Sequence, residues 1–299
     1  MRFFYSDTFN LSLPAGHRFP GQKYGLLRQA LIRDGVIGAD QLHVSPFASL
    51  DEVCAAHDLA YVDAVRSGRL CQRDQRRIGL PWSPSLVERS LATIGGAIAA
   101  ARCALETGFS AQLAGGTHHA HAGFGAGYCV FNDFAAVAIN ALRSGLVERV
   151  AIIDLDVHQG DGNAAILRGL PGVFILDIYC ERNYPFRKVE PHLPVAMAAG
   201  TDDAGYLRAL ADALPAVFDF RPDLVLYQAG VDPLSHDKLG HLDLTDRGLM
   251  ERDRMVLMAC QSRGVPVSLA IGGGYSDPIV HSVAAYANTF RVAKSVYGF

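Results

Sequence analysis

Five apolar runs of strand length punctuate the chain: RFFYS at 2–6, VAIIDLD at 150–156, VFILDI at 173–178, LVLYQAG at 224–230 and VPVSLAIGG at 265–273. Between and after them, apolar residues recur at helical spacing over 87–107, 132–145, 203–218, 245–263 and 280–296. The runs are continuous, not alternating, as strands are when both faces are buried. Such strands, separated by helices, predict an α/β fold with a mainly parallel central sheet and helices on both faces. No internal repeat, low-complexity tract or long Pro/Gly/Ser linker breaks the pattern, so residues 1–299 are expected to form one domain.

Sites in open parallel sheets form in the loops beyond the carboxyl ends of the strands, and those ends are chemically unusual here. The 150–156 run leads into Asp154-Leu155-Asp156-Val157-His158-Gln159-Gly160-Asp161-Gly162. Strand alternation sends Asp154, Asp156 and His158 to one side as long as the chain stays extended. A capping-and-turn reading accounts for Asp161 and Gly162, but less easily for a same-face Asp-x-Asp-x-His. The 224–230 run is followed by Asp232, His236 and Asp237 in VDPLSHDKLG. Two carboxylates and one imidazole from separate strand ends suit a catalytic zinc that keeps one position open. The spacing does not choose between Asp232 and Asp237 as third ligand.

Gly115-Gly116-Thr117-His118-His119-Ala120 follows a short apolar stretch, AQLA, and places adjacent histidines in a third loop. Imidazole titrates near neutrality, so such a pair suits acid–base work. His121 reads as a solvated neighbour. Ile271-Gly272-Gly273-Gly274-Tyr275 closes the last strand, and its phenol is a candidate oxyanion donor. The three glycines lack the residues that complete a nucleotide loop.

Composition narrows the field. A net charge of −3 over 299 residues leaves no basic excess for a phosphate backbone, so nucleic acid is not an expected direct ligand. No apolar stretch reaches the ~18 residues of a membrane span, and the first residues lack a secretory signal pattern; a cytoplasmic location is expected. Six cysteines without a CxxC pair argue against disulfides and a thiolate zinc site.

The ordered set GGTHHA, GYCVFND, IIDLDVHQGDG, QAGVDPLSHDKLG and IGGGY resembles the histone deacetylase family over nearly the whole chain. The compact length, ILDIY, HDKLG and Gln159, where many members have a second histidine, look most like the class IV branch and its bacterial relatives. His236 stands where the family usually has glycine. The resemblance implies the arginase-deacetylase fold, zinc (or iron(II) in its place) on Asp156, His158 and Asp237, and His119 as general base and acid with His118 as electrostatic partner. It further implies Asp154 and Asp161 as carboxylates orienting those histidines, and Tyr275 as the phenol polarising the scissile carbonyl. Tyr128, Tyr184 and Leu239 match the wall of an acyl-lysine tunnel, with Gly273 beside it. Lys23 matches a basic residue of the inner acetate cavity, and Asp154 with Asp177 matches a structural potassium site.

The expected activity is hydrolysis of an Nε-acyl-lysine amide in a protein or peptide, acetyl or longer. An acylpolyamine or other small acylated amine is the alternative substrate, and an inactive acyl-lysine reader the alternative from another class. An acidic or narrowed tunnel mouth would favour the polyamine. Metal content and turnover on an acyl-lysine peptide separate enzyme from reader.

Overall fold

The structure, a computed structural model, describes residues 1–9, 11–14 and 16–299. In chain order its elements are β1 (Phe3–Tyr5), α1 (Lys23–Arg33), β2 (Leu42–Val44), α2 (Leu50–Cys54), α3 (Leu59–Arg66), α4 (Gln72–Ile78), α5 (Pro84–Thr107), β3 (Phe109–Gln112), α6 (Asp133–Arg143), β4 (Val150–Asp154), α7 (Asp161–Leu167), β5 (Val173–Cys180), β6 (Leu193–Met197), α8 (Asp203–Asp219), β7 (Leu224–Gln228), α9 (Asp246–Gln261), β8 (Val267–Ala270) and α10 (Val280–Tyr297). The eight strands join one sheet in the order β2-β1-β3-β8-β7-β4-β5-β6. Every pairing is parallel.

The predicted runs become the middle of the sheet because their side chains are buried on both faces. Every residue of β4, β7 and β8 is buried, which at about 25 cal/mol per Å² of apolar area removed from water is the main force holding the sheet together. Helix α5 is capped by Ser83, whose side chain accepts a hydrogen bond from the Leu86 amide, with Pro84 in the first turn and Gly108 as its left-handed stop.

Strand order reverses across β3-β8-β7-β4, so the loops leaving these four strands open onto one crevice. Register completes the arrangement. Asp154 pairs with Asp177 on one side and with Gln228 on the other, and both Gln228 and Gln112 pair with Ala270. The last rung of an otherwise apolar sheet is therefore polar and buried, directly beneath the crevice.

The β4 strand stops at Asp154, two residues earlier than its apolar run. Asp156 and His158 enter the crevice on bends, not on a continuing pleat. No helix of the described residues is long and apolar enough to cross a membrane.

Candidate active site

The loop after β3 carries the histidine pair, and α6 holds that loop. The Asp133 carboxylate, in the first turn of α6, accepts from the amides of Gly116 (2.7 Å) and Thr117 (2.9 Å) and from the Thr117 hydroxyl (2.9 Å). Asn132 caps α6 through its Oδ1 and donates from Nδ2 to the Ala120 carbonyl at 3.1 Å. The turn needs its glycines: Gly116 sits at φ +75°, and a Cβ there would lie 2.6 Å from the Gly272 Cα. The GGTHHA and IGGGY loops touch back to back.

Each histidine has its own carboxylate. His118 Nδ1 lies 2.9 Å from Asp154 Oδ2, and His119 Nδ1 lies 2.7 Å from Asp161 Oδ1. Ionised carboxylates only accept, so both Nδ1 atoms donate and both Nε2 atoms are left for the crevice. The rings are 4.0 Å apart and buried. Their charge states diverge. Burial opposes charging His118, but the charges of Asp154 and Asp156 outweigh it and carry the imidazolium up to about 10. Burial and the neighbouring His118 charge together push His119 down to about 4. A charged histidine beside a neutral one that can accept a proton is the result.

The loop after β4 meets the loop after β7 at His158. Its Nδ1 is 3.0 Å from both Asp156 Oδ1 and Asp232 Oδ2, and one donor atom from each of Asp156, His158 and Asp232 fits within 4.8 Å. Asp232 is fully committed: its Oδ1 accepts from the Val157 amide at 2.9 Å and its Oδ2 faces His158. Asp237 is held by the amides of Leu239 (2.8 Å) and Gly240 (3.1 Å) on Oδ1 and of Tyr275 (2.6 Å) on Oδ2. Burial raises both carboxyls; for Asp232 the charge of Asp156 adds to it and carries the group to about 7, whereas for Asp237 the amides of Leu239, Tyr275 and Gly240 work against it.

Six carboxylates, those of Asp154, Asp156, Asp161, Asp177, Asp232 and Asp237, are buried together. No lysine or arginine of the described residues forms an ion pair with them; their partners are histidines. Such a surplus of buried negative charge fits cation binding. Asp177 adds a second sign of it: its Oδ1 is buried with no hydrogen-bond partner among the described residues, and burial with the adjacent Asp154 drives its carboxyl well above the usual range.

Above the cluster a cleft of about 440 Å³ leads inward past His119, Tyr128, His158, Tyr184, Leu239 and Tyr275. A smaller chamber of about 50 Å³ continues beneath it, sharing His119, Tyr128, His158 and Tyr275 and reaching Lys23, Asp156 and Gly273. Tyr184 stands edge-on over His119 at 4.8 Å. Tyr128 takes φ +65°, rare outside glycine, with its ring 5.2 Å from Phe19 and 6.2 Å from Tyr275. The Lys23 ammonium donates to the carbonyls of Gly272 and Gly274 (both 3.3 Å) and to the Tyr286 hydroxyl (3.1 Å). The Tyr275 hydroxyl has no hydrogen-bond partner among the described residues. Burial and the charges of Asp156 and Asp232 push the phenol well above its ordinary value, so it stays protonated and able to donate.

The tunnel residues and the histidine pair assigned from sequence line the cleft and its inner chamber, whereas the donor group found among the described residues holds Asp232 in place of Asp237. Three residues take roles that the sequence does not give them. His121 is not merely solvated: its Nε2 lies 3.0 Å from Asp161 Oδ2, so Asp161 bridges two histidines. Asn183 is buried and ties the loop after β5 to that after β7, accepting from the His241 amide at 3.1 Å and donating to the Leu239 carbonyl. Asp232 fixes the His158 ring. Of the two departures from the family pattern, Gln159 is buried and accepts from the Val189 amide at 2.9 Å, anchoring the segment that carries Tyr184. His236 packs its ring 5.2 Å from His281, away from the residues lining the throat.

Comparison with known proteins follows the same lines. The histone deacetylase domain matches residues 17–290. An uncharacterized protein of Picosynechococcus sp. is 42% identical over 98% of both chains. Histone deacetylase 2 of Arabidopsis thaliana is 32% identical over 94% of this chain and 76% of its own. Among solved structures, an HDAC homolog complexed with SAHA superposes with a TM-score of 0.82 at 22% identity, covering 100% of this chain and 84% of that one; it shares the fold. The chain belongs to the histone deacetylase family.

Proposed function

We propose that this chain hydrolyses the amide of an Nε-acyl-lysine, acetyl or longer, in a protein or peptide. One observation carries the reading: two buried histidines, each on its own carboxylate, face a narrow throat together with a phenol that has no hydrogen-bond partner among the described residues. A relative described as a probable deacetylase of Archaeoglobus fulgidus, 31% identical over 88% of this chain, is consistent with it.

Zinc, or iron(II), on Asp156, His158 and Asp237 would polarise the acyl carbonyl and acidify a water. Asp237 is taken as the third ligand from the family pattern, although Asp232 and Asp237 both accept hydrogen bonds on both oxygens and Asp232 lies with Asp156 and His158 in the donor group. Asp232 then acts as the carboxylate that fixes a ligand histidine's ring and tautomer. A potassium ion between Asp154 and Asp177 would answer the unpaired Asp177 oxygen.

Neutral His119 takes a proton from the attacking water at Nε2, while its Nδ1–H remains on Asp161, which stabilises the imidazolium that forms. Tyr275 donates to the acyl oxygen as it gains charge. A protonated histidine then returns a proton to the leaving amine, and His118 supplies fixed positive charge alongside. Tyr128, Tyr184 and Leu239 wall the acyl-lysine stem. Mass spectrometry of acyl-lysine peptides of graded acyl length, incubated with the metal-loaded protein, should show loss of the acyl group; intact peptides throughout would reject the reading.

A further inference from the structure

Outside the throat, the cleft is lined by Arg76, Arg77 and Arg182 together with His241, and by no carboxylate among the described residues. This runs against the chain's net charge of −3. Arg77 shares its charge with Asp74 at 3.6 Å and lies 4.3 Å over the Phe124 ring. Arg76 and Arg182 are exposed, and neither forms an ion pair among the described residues. They come from separate segments, α4 and the loop after β5, yet reach one opening. Glu181 and Asp74, the nearest acids in sequence, do not line it. Phe186, 90% exposed, adds an apolar surface to the same rim.

We propose that this rim recognises carboxylates flanking the acylated lysine, so that the preferred substrate is an acidic peptide segment and not a cationic acylpolyamine. The inference rests on the deacylase reading above and narrows its substrate class. Guanidinium groups suit carboxylates because their planar fork can donate two parallel hydrogen bonds. Each exposed pair is individually weak, but a cleft lined by one sign of charge concentrates ligands of the other and repels its own kind.

The test compares kcat/KM of the metal-loaded enzyme on three acetyl-lysine peptides, flanked by Asp/Glu, by Gln/Ala or by Lys, and on a monoacetylated polyamine. At low salt the acidic peptide should exceed the neutral one by roughly fivefold to tenfold, mainly through KM. The ratio should shrink towards one at about 0.5 M salt, where screening is strong. Arg76→Gln with Arg182→Gln should also bring it towards one, and each single substitution part of the way. Each ratio is taken on one preparation, so loss of folded enzyme cancels. A wild-type ratio near one, an acid preference that survives the double substitution, or faster turnover of the polyamine would overturn the proposal. If no substrate is hydrolysed, the deacylase reading fails, and fluorescence anisotropy of the labelled acidic and neutral peptides still decides the rim: equal Kd values overturn it, tighter acidic binding that depends on Arg76 and Arg182 supports it.

Discussion

Replacing Tyr275 with phenylalanine removes one hydroxyl from the throat and leaves the ring against Tyr128 and His158. That hydroxyl has no hydrogen-bond partner among the described residues, so no internal bond is broken, and stability should change by no more than about 0.5 kcal/mol. In the reaction, however, it is the protein's donor to an oxygen that becomes negative only as water attacks. Deleting one such donor typically costs ~2.7–4 kcal/mol in the transition state, or roughly 10²–10³ in kcat. KM should move far less, because the interaction strengthens along the reaction coordinate. Steady-state kinetics on an acetyl-lysine peptide, with metal content and thermal unfolding measured on the same samples, give the answer. Unchanged kcat at equal metal loading would remove Tyr275 from the mechanism and leave IGGGY as a turn.

His119→Ala should retain metal and lose ~10²–10⁴ in turnover, with His118→Ala the milder change; kinetics at matched pH and metal loading check the order, and the reverse order would exchange their roles. Asp237→Ala should lose both metal and activity, since three protein ligands leave a catalytic site open and two do not hold it. Asp232→Asn should weaken metal binding only ~10–100-fold; metal analysis showing the greater loss in Asp232→Asn would make Asp232 the ligand. His57 tests the support of the histidine loop. Burial pushes it down to about 4 from 6.5, with Nε2 accepting from the Asn132 amide at 2.8 Å and Nδ1 donating to the His121 carbonyl at 3.0 Å. Between those two pH values the unfolded chain binds the proton and the folded chain does not, so stability falls as pH drops through that window. Urea unfolding from pH 6.5 to 4 should cost the wild type roughly 3 kcal/mol more than His57→Gln; parallel pH profiles would contradict the buried neutral state.

The parts of this fold that were readable from sequence are those where burial leaves a pattern. Strands β4, β5, β7 and β8 are covered on both faces and read as apolar runs. The two edge strands leave no such trace: β2 is three residues long with His43 and Val44 exposed, and β6 alternates half-buried with exposed positions around Pro194. Short helices α2, α3, α4 and α7 are too brief for a clear 3.6-residue period, although α2 opens on a Ser49–Glu52 capping box and α4 stops at left-handed Gly79. In the site, motif order singled out the candidate residues, but sequence spacing could not show that both oxygens of Asp232 and of Asp237 are engaged. Nor could it show that His121 reaches Asp161, a bond made only once α7 brings Asp161 beneath the histidine loop. The basic rim was equally hidden, because Arg76 and Arg182 are separated by more than a hundred residues and meet only through the fold.

The central claim is that water, with His119 as base, cleaves an acyl-lysine amide in this throat. It is tested most directly by running the metal-loaded protein on an acetyl-lysine peptide in ¹⁸O-enriched water and following acetate and free lysine by mass spectrometry. The account predicts stoichiometric free amine and acetate carrying one solvent-derived oxygen, at a rate that collapses in His119→Ala. Unlabelled acetate, no free amine, or an undiminished rate in His119→Ala would contradict it.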